Sequence, residues 1–276
     1  MGKNITVLGA GAWGTAFGQV LADAGNTVTM WAKEQRIVEG IRDHHHNAVR
    51  LPSVEKLPDN MTATGDRAEA VKNADIVVVA IAAQFARVAL VEFKGLIPDH
   101  AIVVSLMKGI ERGTNKRMDE VVRESLDLPA DRFAAISGPN LSKEIADRHP
   151  AATVVACTNL DNATKVAEAC TTSYFKPFVT TDVIGLEMCG SLKNVTALAV
   201  GMARGAGYGE NTAAMIGLAI LAVILLVAIF AGVICDYDTQ VIAQNMAQRL
   251  QPPSAEHWFG TDAYGRDTFA RVVYGA

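Results

Sequence analysis

Apolar residues fall in short unbroken runs along the first two-thirds of the chain. Asn4–Leu8, Thr27–Trp31, Asp75–Ala82, Ala101–Leu106, Phe133–Ile136 and Thr153–Ala156 are rich in valine, isoleucine and other apolar residues, without regular polar alternation. Strands of that kind are buried on both faces, as in a mostly parallel sheet. Helical stretches separate the runs, so the pattern predicts a doubly wound α/β fold. One helix runs from Gly14 to about Ala24 and is stopped by Gly25. The strip from Asp43 to Thr64 is polar and contains proline, and reads as a connecting loop. From Val183 to about Met202 the pattern becomes one long helix, ended by Arg204–Gly207. From Ile216 to Cys235 no side chain is polar. About twenty residues at roughly 1.5 Å rise would cross a ~30 Å hydrocarbon layer, so this run reads as a transmembrane helix. A polar tail holding Pro252 and Pro253 follows. The expected parts are 1–182, an α/β domain; 183–215, the start of a helical domain; 216–235, the apolar span; and 236–276, an extramembrane tail.

Composition narrows the function classes. A net charge of −4 on 276 residues, with no dense Lys/Arg tract, argues against a nucleic-acid surface. The four cysteines include no C-x-x-C pair, which fits a reducing compartment and argues against a zinc site. The N-terminus has no secretory signal pattern. Arg204 before the apolar run, with Asp236 and Asp238 after it, places the α/β part on the cytoplasmic side of an inner-membrane anchor.

The candidate chemistry begins at Gly9-Ala10-Gly11-Ala12-Trp13-Gly14. This G-x-G-x-x-G follows a strand and opens a helix, the context that gives the motif weight. Gly9 permits the tight turn, Gly11 lets the backbone approach a pyrophosphate, and Gly14 lets helix and strand pack closely. Ala12 and Trp13 occupy the first turn, where free N–H groups face the phosphates. The reading is a Rossmann-type NAD(P)-binding domain. At the end of the second strand, Lys33 could pair with a ribose 2′-phosphate and Glu34 could hold a 2′-hydroxyl. Lys33 comes first, so the sequence favours NADPH over NADH.

Three further stretches are informative: Ser105–Glu111 (SLMKGIE), Ser137–Glu144 (SGPNLSKE) and Glu187–Val195 (EMCGSLKNV). With GAGAWGTA, their order and spacing over about 4–216 resemble bacterial NAD(P)-dependent glycerol-3-phosphate dehydrogenases. The resemblance implies interconversion of dihydroxyacetone phosphate and sn-glycerol 3-phosphate for phospholipid synthesis. It implies that Lys193 is the acid/base, and that Lys108, Gly138, Asn140 and Asn194 contact the substrate. Lys108 and Ser142 would also meet the cofactor. Asn140 stands where many relatives carry a hydroxyl residue. Gln84 and Arg87 follow a strand end and read either as lining the cofactor cleft or as helix surface. The run His44–His46 reads as a solvated loop, since adjacent histidines converge poorly on one ion; no metal is expected. A homodimer is compatible with the resemblance.

After Ile216 the pattern departs from the family. The resemblance implies an amphipathic domain there, with an Asp near the lysine and an Arg-Asn pair for substrate phosphate and cofactor. None of these residues is found after Ile216 in the family's pattern, so turnover is expected to be weak. Gln251–Asp262, Tyr264–Asp267 and Arg271–Ala276 instead resemble the region after the first transmembrane helix of a dipeptide/oligopeptide ABC-transporter permease. The expected molecule is a chimera with dehydrogenase function. The alternatives are a non-catalytic membrane-tethered nucleotide binder and a permease fragment.

Overall fold

The computed structural model describes residues 2–207, 215, 219, 222–223, 226–227, 230–262 and 264–274. They form two compact parts, Met1–Ser191 and Leu192–Ala276.

The first part is built on β1 (Asn4–Leu8), α1 (Ala12–Asp23), β2 (Thr27–Trp31), α2 (Gln35–His44), β3 (Met61–Thr64), α3 (Arg67–Val71), β4 (Ile76–Val79) and α4 (Ala86–Val91). It continues through β5 (Ile102–Ser105), α5 (Met118–Leu126), β6 (Phe133–Ser137), α6 (Ser142–Ala146), β7 (Ala151–Cys157), α7 (Leu160–Cys170) and β8 (Phe175–Thr180). Helix α8 (Val183–Gly205) follows. The strands form one eight-stranded sheet in the order β3-β2-β1-β4-β5-β6-β7-β8. The first six run parallel, β7 lies antiparallel to β6, and β8 lies parallel to β7. This is the doubly wound order, with the ligand crevice expected at the carboxyl ends of the strands beside β1.

Two-sided burial explains the unbroken runs. Ile76, Val78, Ile102 and Val104 belong to the core on one face of the sheet, with Phe17, Val20, Met30 and Phe175. Val77, Val79 and Val103 belong to the core on the other, with Phe93, Val121 and Phe133. Neighbouring residues thus enter opposite layers, and each must be apolar.

The structure adds two strands that the apolar pattern does not predict. The polar strip Asp43–Thr64 ends in β3, whose register beside β2 buries Met61 and Ala63 while Thr62 faces out. β8, at the other edge, contains Pro177, which an edge strand tolerates. The histidine run ends α2 and opens the loop after it, with His44 exposed and His45 and His46 half-buried. His45 adopts φ 47° as the left-handed cap of α2, the His46 N–H donates to the Gly40 carbonyl, and the Leu57 N–H donates to the His45 carbonyl.

In the second part, Cys235, Ala270 and Val273 form a small core with Val227, Val241 and Phe269. Trp258 and Phe259 pack against Phe269 at 5.0 and 5.3 Å between ring centres. His257 Nδ1 meets Asp267 Oδ2 at 2.7 Å, and the Asp262 carboxylate accepts from Arg266 and Arg271. Much of the run 216–235, expected to span a bilayer, lies outside the described residues. Among the described residues no helix is long and apolar enough to cross a membrane.

Candidate functional site

The three glycines stand in three different surroundings. Gly9 has φ +112°, and a Cβ there would lie 2.6 Å from the Ala80 carbonyl oxygen. A Cβ on Gly14 would lie 2.1 Å from the Gly9 carbonyl oxygen, so this turn of α1 rests on the loop itself. A Cβ on Gly11 would meet nothing within 4 Å, because the position opens into the crevice. Gly11 is the N-cap of α1 and offers no side chain to its first N–H groups. Unpartnered N–H groups at the positive end of a helix, with open space before them, fit a pyrophosphate. Ala12 begins the helix, and Trp13 leans on Phe17 at 5.6 Å.

A cavity of about 440 Å³ extends from this loop. Gly9, Gly11, Trp31, Lys33, Arg50 and Phe85 contribute to its lining. The Trp31 ring is held by an Nε1–H bond to the Gly65 carbonyl (3.1 Å) and by edge contact with Phe93 (5.0 Å). Lys33 reaches over that ring, 6.0 Å from its centre. The Glu34 carboxylate accepts from Arg50 at 2.7 Å and Arg36 at 2.9 Å, and these guanidinium groups hold it below the usual carboxylate range. Glu34 is thus already engaged by cations. Arg50 carries no signal in the sequence, where it sits in a polar strip far from the motif.

Lys108 and Gly138 come together. The Lys108 ammonium, in the loop after β5, donates to the Gly138 carbonyl at 3.0 Å. A Cβ on Gly138 would lie 3.0 Å from the Ala152 carbonyl oxygen, which explains the glycine beside β7. The Asn140 side chain is turned to Thr153, donating to its hydroxyl at 3.0 Å, while that hydroxyl donates to the Ser137 carbonyl. Asn140 Oδ1 is buried with no hydrogen-bond partner among the described residues. Ser142 opens α6, whose Ala146 carbonyl accepts from Gln19 of α1 at 3.0 Å. Lys193 and Asn194 lie on α8 in the second part; Lys193 is exposed, and the Asn194 side chain lies outside the described residues.

Glu187, in the first turns of α8, is a site residue that the motifs do not single out. Its side chain, 8 % exposed, accepts from the Asp119 backbone N–H at 2.9 Å, and Arg117 approaches to 3.5 Å. Burial, then the neighbouring Asp119 carboxylate, push the Glu187 carboxyl up to about 8. The folded chain keeps a proton that the unfolded chain releases near pH 4.5. This contribution to stability is complete below pH 4.5 and is lost as pH rises towards 8. Glu187→Gln, neutral at every pH, is expected to flatten the fall of the melting temperature across that window, a difference of a few kcal/mol, at most about 5, at its upper end. An unchanged slope in thermal melts of the variant would remove Glu187 as the cause. Among the described residues no group of three or more His, Cys, Asp or Glu side chains could hold a metal ion.

Comparison with known proteins places this geometry in a family. The model for the NAD-dependent glycerol-3-phosphate dehydrogenase N-terminus matches residues 4–163, and that for the C-terminus matches 182–235. The second match crosses Ile216, where the motif-based resemblance stops. The chain is 94 % identical over 232 residues to a glycerol-3-phosphate dehydrogenase [NAD(P)+] of Bifidobacterium longum, covering 84 % of this chain and 70 % of that one. It is 50 % identical over 212 residues to one from Corynebacterium kroppenstedtii, covering 77 % and 64 %. The crystal structure of glycerol-3-phosphate dehydrogenase from Coxiella burnetii superposes with a TM-score of 0.72 at 29 % identity, covering 79 % of this chain and 67 % of that one. The cradle of Gly9, Gly11 and Gly14 and the matched sequence lead to one conclusion: the chain belongs to the NAD(P)-dependent glycerol-3-phosphate dehydrogenase family.

Proposed function

We propose that this chain binds NADPH in the crevice beside β1 and acts on dihydroxyacetone phosphate and sn-glycerol 3-phosphate. The observation that carries the reading is the glycine cradle opening into the cavity that Lys33 and Arg50 flank. Two cations beside Trp31, with Glu34 already paired, favour a ribose 2′-phosphate over a bare hydroxyl. When bound, the reduced nicotinamide supplies a hydride to the ketone carbon. Lys193 donates the proton that the ketone oxygen takes up, and accepts it in the reverse direction. Lys108 and Gly138 supply an ammonium and a backbone edge to the substrate, with Asn140 and Asn194 as further polar ligands. Ser142 lies against the cofactor.

Calorimetric titration of the full chain tests this, with NADPH expected to bind about tenfold tighter than NADH. Uptake of neither coenzyme would overturn the reading. A second reading concerns attachment: the apolar run Ile216–Cys235 supports a bilayer tether for the α/β part. In the same preparation mixed with liposomes, the NADPH-binding chain would then float with the vesicles. A chain that stays at the bottom of the gradient removes the tether.

A further inference from the structure

The segment Ala83–Val91 presents two functional faces. Phe85 and Val88, 69 % and 74 % exposed, turn to the cavity that starts at Gly9 and Gly11. Large apolar side chains so open to solvent on a cavity wall mark a surface that a ligand covers. Gln84 and Arg87, from the same segment, turn to the loop that carries Lys108. Gln84 Nε2 donates to the Ile110 carbonyl at 2.9 Å, and Gln84 Oε1 accepts from the Arg112 N–H at 3.0 Å. One side-chain amide thus closes two backbone bonds of the loop. Arg87 donates through Nε and Nη2 to both oxygens of Glu111, each at 2.9 Å at the nearest, and Nη2 lies 3.0 Å from Glu124 of α5. Glu111 is itself built in: its side chain is 12 % exposed, it accepts from the Thr114 hydroxyl, and its N–H donates to the Lys116 carbonyl.

The clamp matters because it joins the loop to the segment that walls the cavity. Gly109 and Gly113 have φ of +119° and +86°, with no atom within 4 Å of where a Cβ would stand. The loop closes on itself by the bridge between Ile110 and Arg117. Gln84 bonds its backbone to the neighbouring element, and Arg87 adds a bidentate charged tie. A bidentate guanidinium–carboxylate pair fixes orientation as well as distance.

Resting on the cofactor reading above, we infer that Gln84 and Arg87 are positioning residues for Lys108, and that cofactor contact with Phe85 and Val88 reaches the lysine loop through them. Filling the crevice immobilises one face of the segment, and the clamp on its other face immobilises the loop. Lys108 is then steady on the Gly138 carbonyl when substrate arrives.

Amide hydrogen exchange of the full chain, with and without saturating NADPH, tests the inference. In the parent, NADPH is expected to slow exchange at the Arg112 amide and through residues 109–117 about tenfold. Gln84→Ala and Arg87→Ala should keep the NADPH Kd within about twofold and lose that slowing. Gln84 is exposed and the variants leave the cores intact, so both should fold. A merely structural clamp would speed loop exchange in the variants yet leave the NADPH-dependent slowing intact, and that result overturns the inference. NADPH bound by the parent with no effect on loop exchange also overturns it, and leaves the cofactor reading standing. No NADPH uptake by the parent overturns both.

Discussion

Gly11→Val is expected to abolish NADPH binding, by about a hundredfold or more in Kd, while the protein stays folded. The reason is where the methyl groups go. Among the described residues nothing stands within 4 Å of a Cβ at Gly11, so the fold gives them room. That room is where the pyrophosphate must approach the first N–H groups of α1. The folding cost is limited to a β-branched residue at an N-cap, on the order of 1 kcal/mol. Gly9→Val is the control with the opposite signature. At φ +112° with the Ala80 carbonyl 2.6 Å from its Cβ, it should cost several kcal/mol, about 3 or more, and lower the melting temperature sharply. Paired calorimetric titrations and thermal melts separate the two. If Gly11→Val still takes up NADPH at the parent's affinity, the pyrophosphate does not lie at this loop.

Lys193→Ala is expected to reduce dihydroxyacetone phosphate-dependent NADPH oxidation at least about a hundredfold, to background, with the NADPH Kd within about twofold of the parent. A residue that moves a proton at the ketone oxygen contributes to the reaction and not to the grip on the dinucleotide. Turnover in the parent is expected to be low, because Ile216–Cys235 carries no polar side chain to hold the substrate phosphate. The assay is therefore read at high protein concentration, with substrate-free controls subtracted. Retention of the parent's rate in Lys193→Ala would assign the proton to another group.

The central strands are legible in the sequence because they are buried on both faces and are mostly apolar. β3 is not, since only Met61 and Ala63 face inward and its identity as a strand comes from pairing with β2. Pro177 hides β8 in the same way, by breaking a pattern that an edge position tolerates. The glycine loop is readable because backbone geometry dictates residue type there. Arg50 and the Gln84–Arg87 clamp are not, because each acts on a partner distant in the chain: Arg50 on Glu34, Gln84 on Ile110 and Arg112, Arg87 on Glu111. A surface charge and a clamp have the same composition until the fold brings their partners up. Asn140 shows the remaining gap: its place beside Gly138 is readable, but the turn of its amide towards Thr153 is not.

The reversal at β7 has an evolutionary consequence. Ser137 at the end of β6 lies opposite Val154 of β7, so residues 138–153 leave and rejoin the β6–β7 ladder at a single rung. Lengthening or shortening that excursion leaves the ladder in register, because its two stems stay hydrogen-bonded whatever the tip does. Descendants of this scaffold can therefore remodel the segment carrying Gly138, Asn140 and Ser142 without renegotiating the architecture beneath.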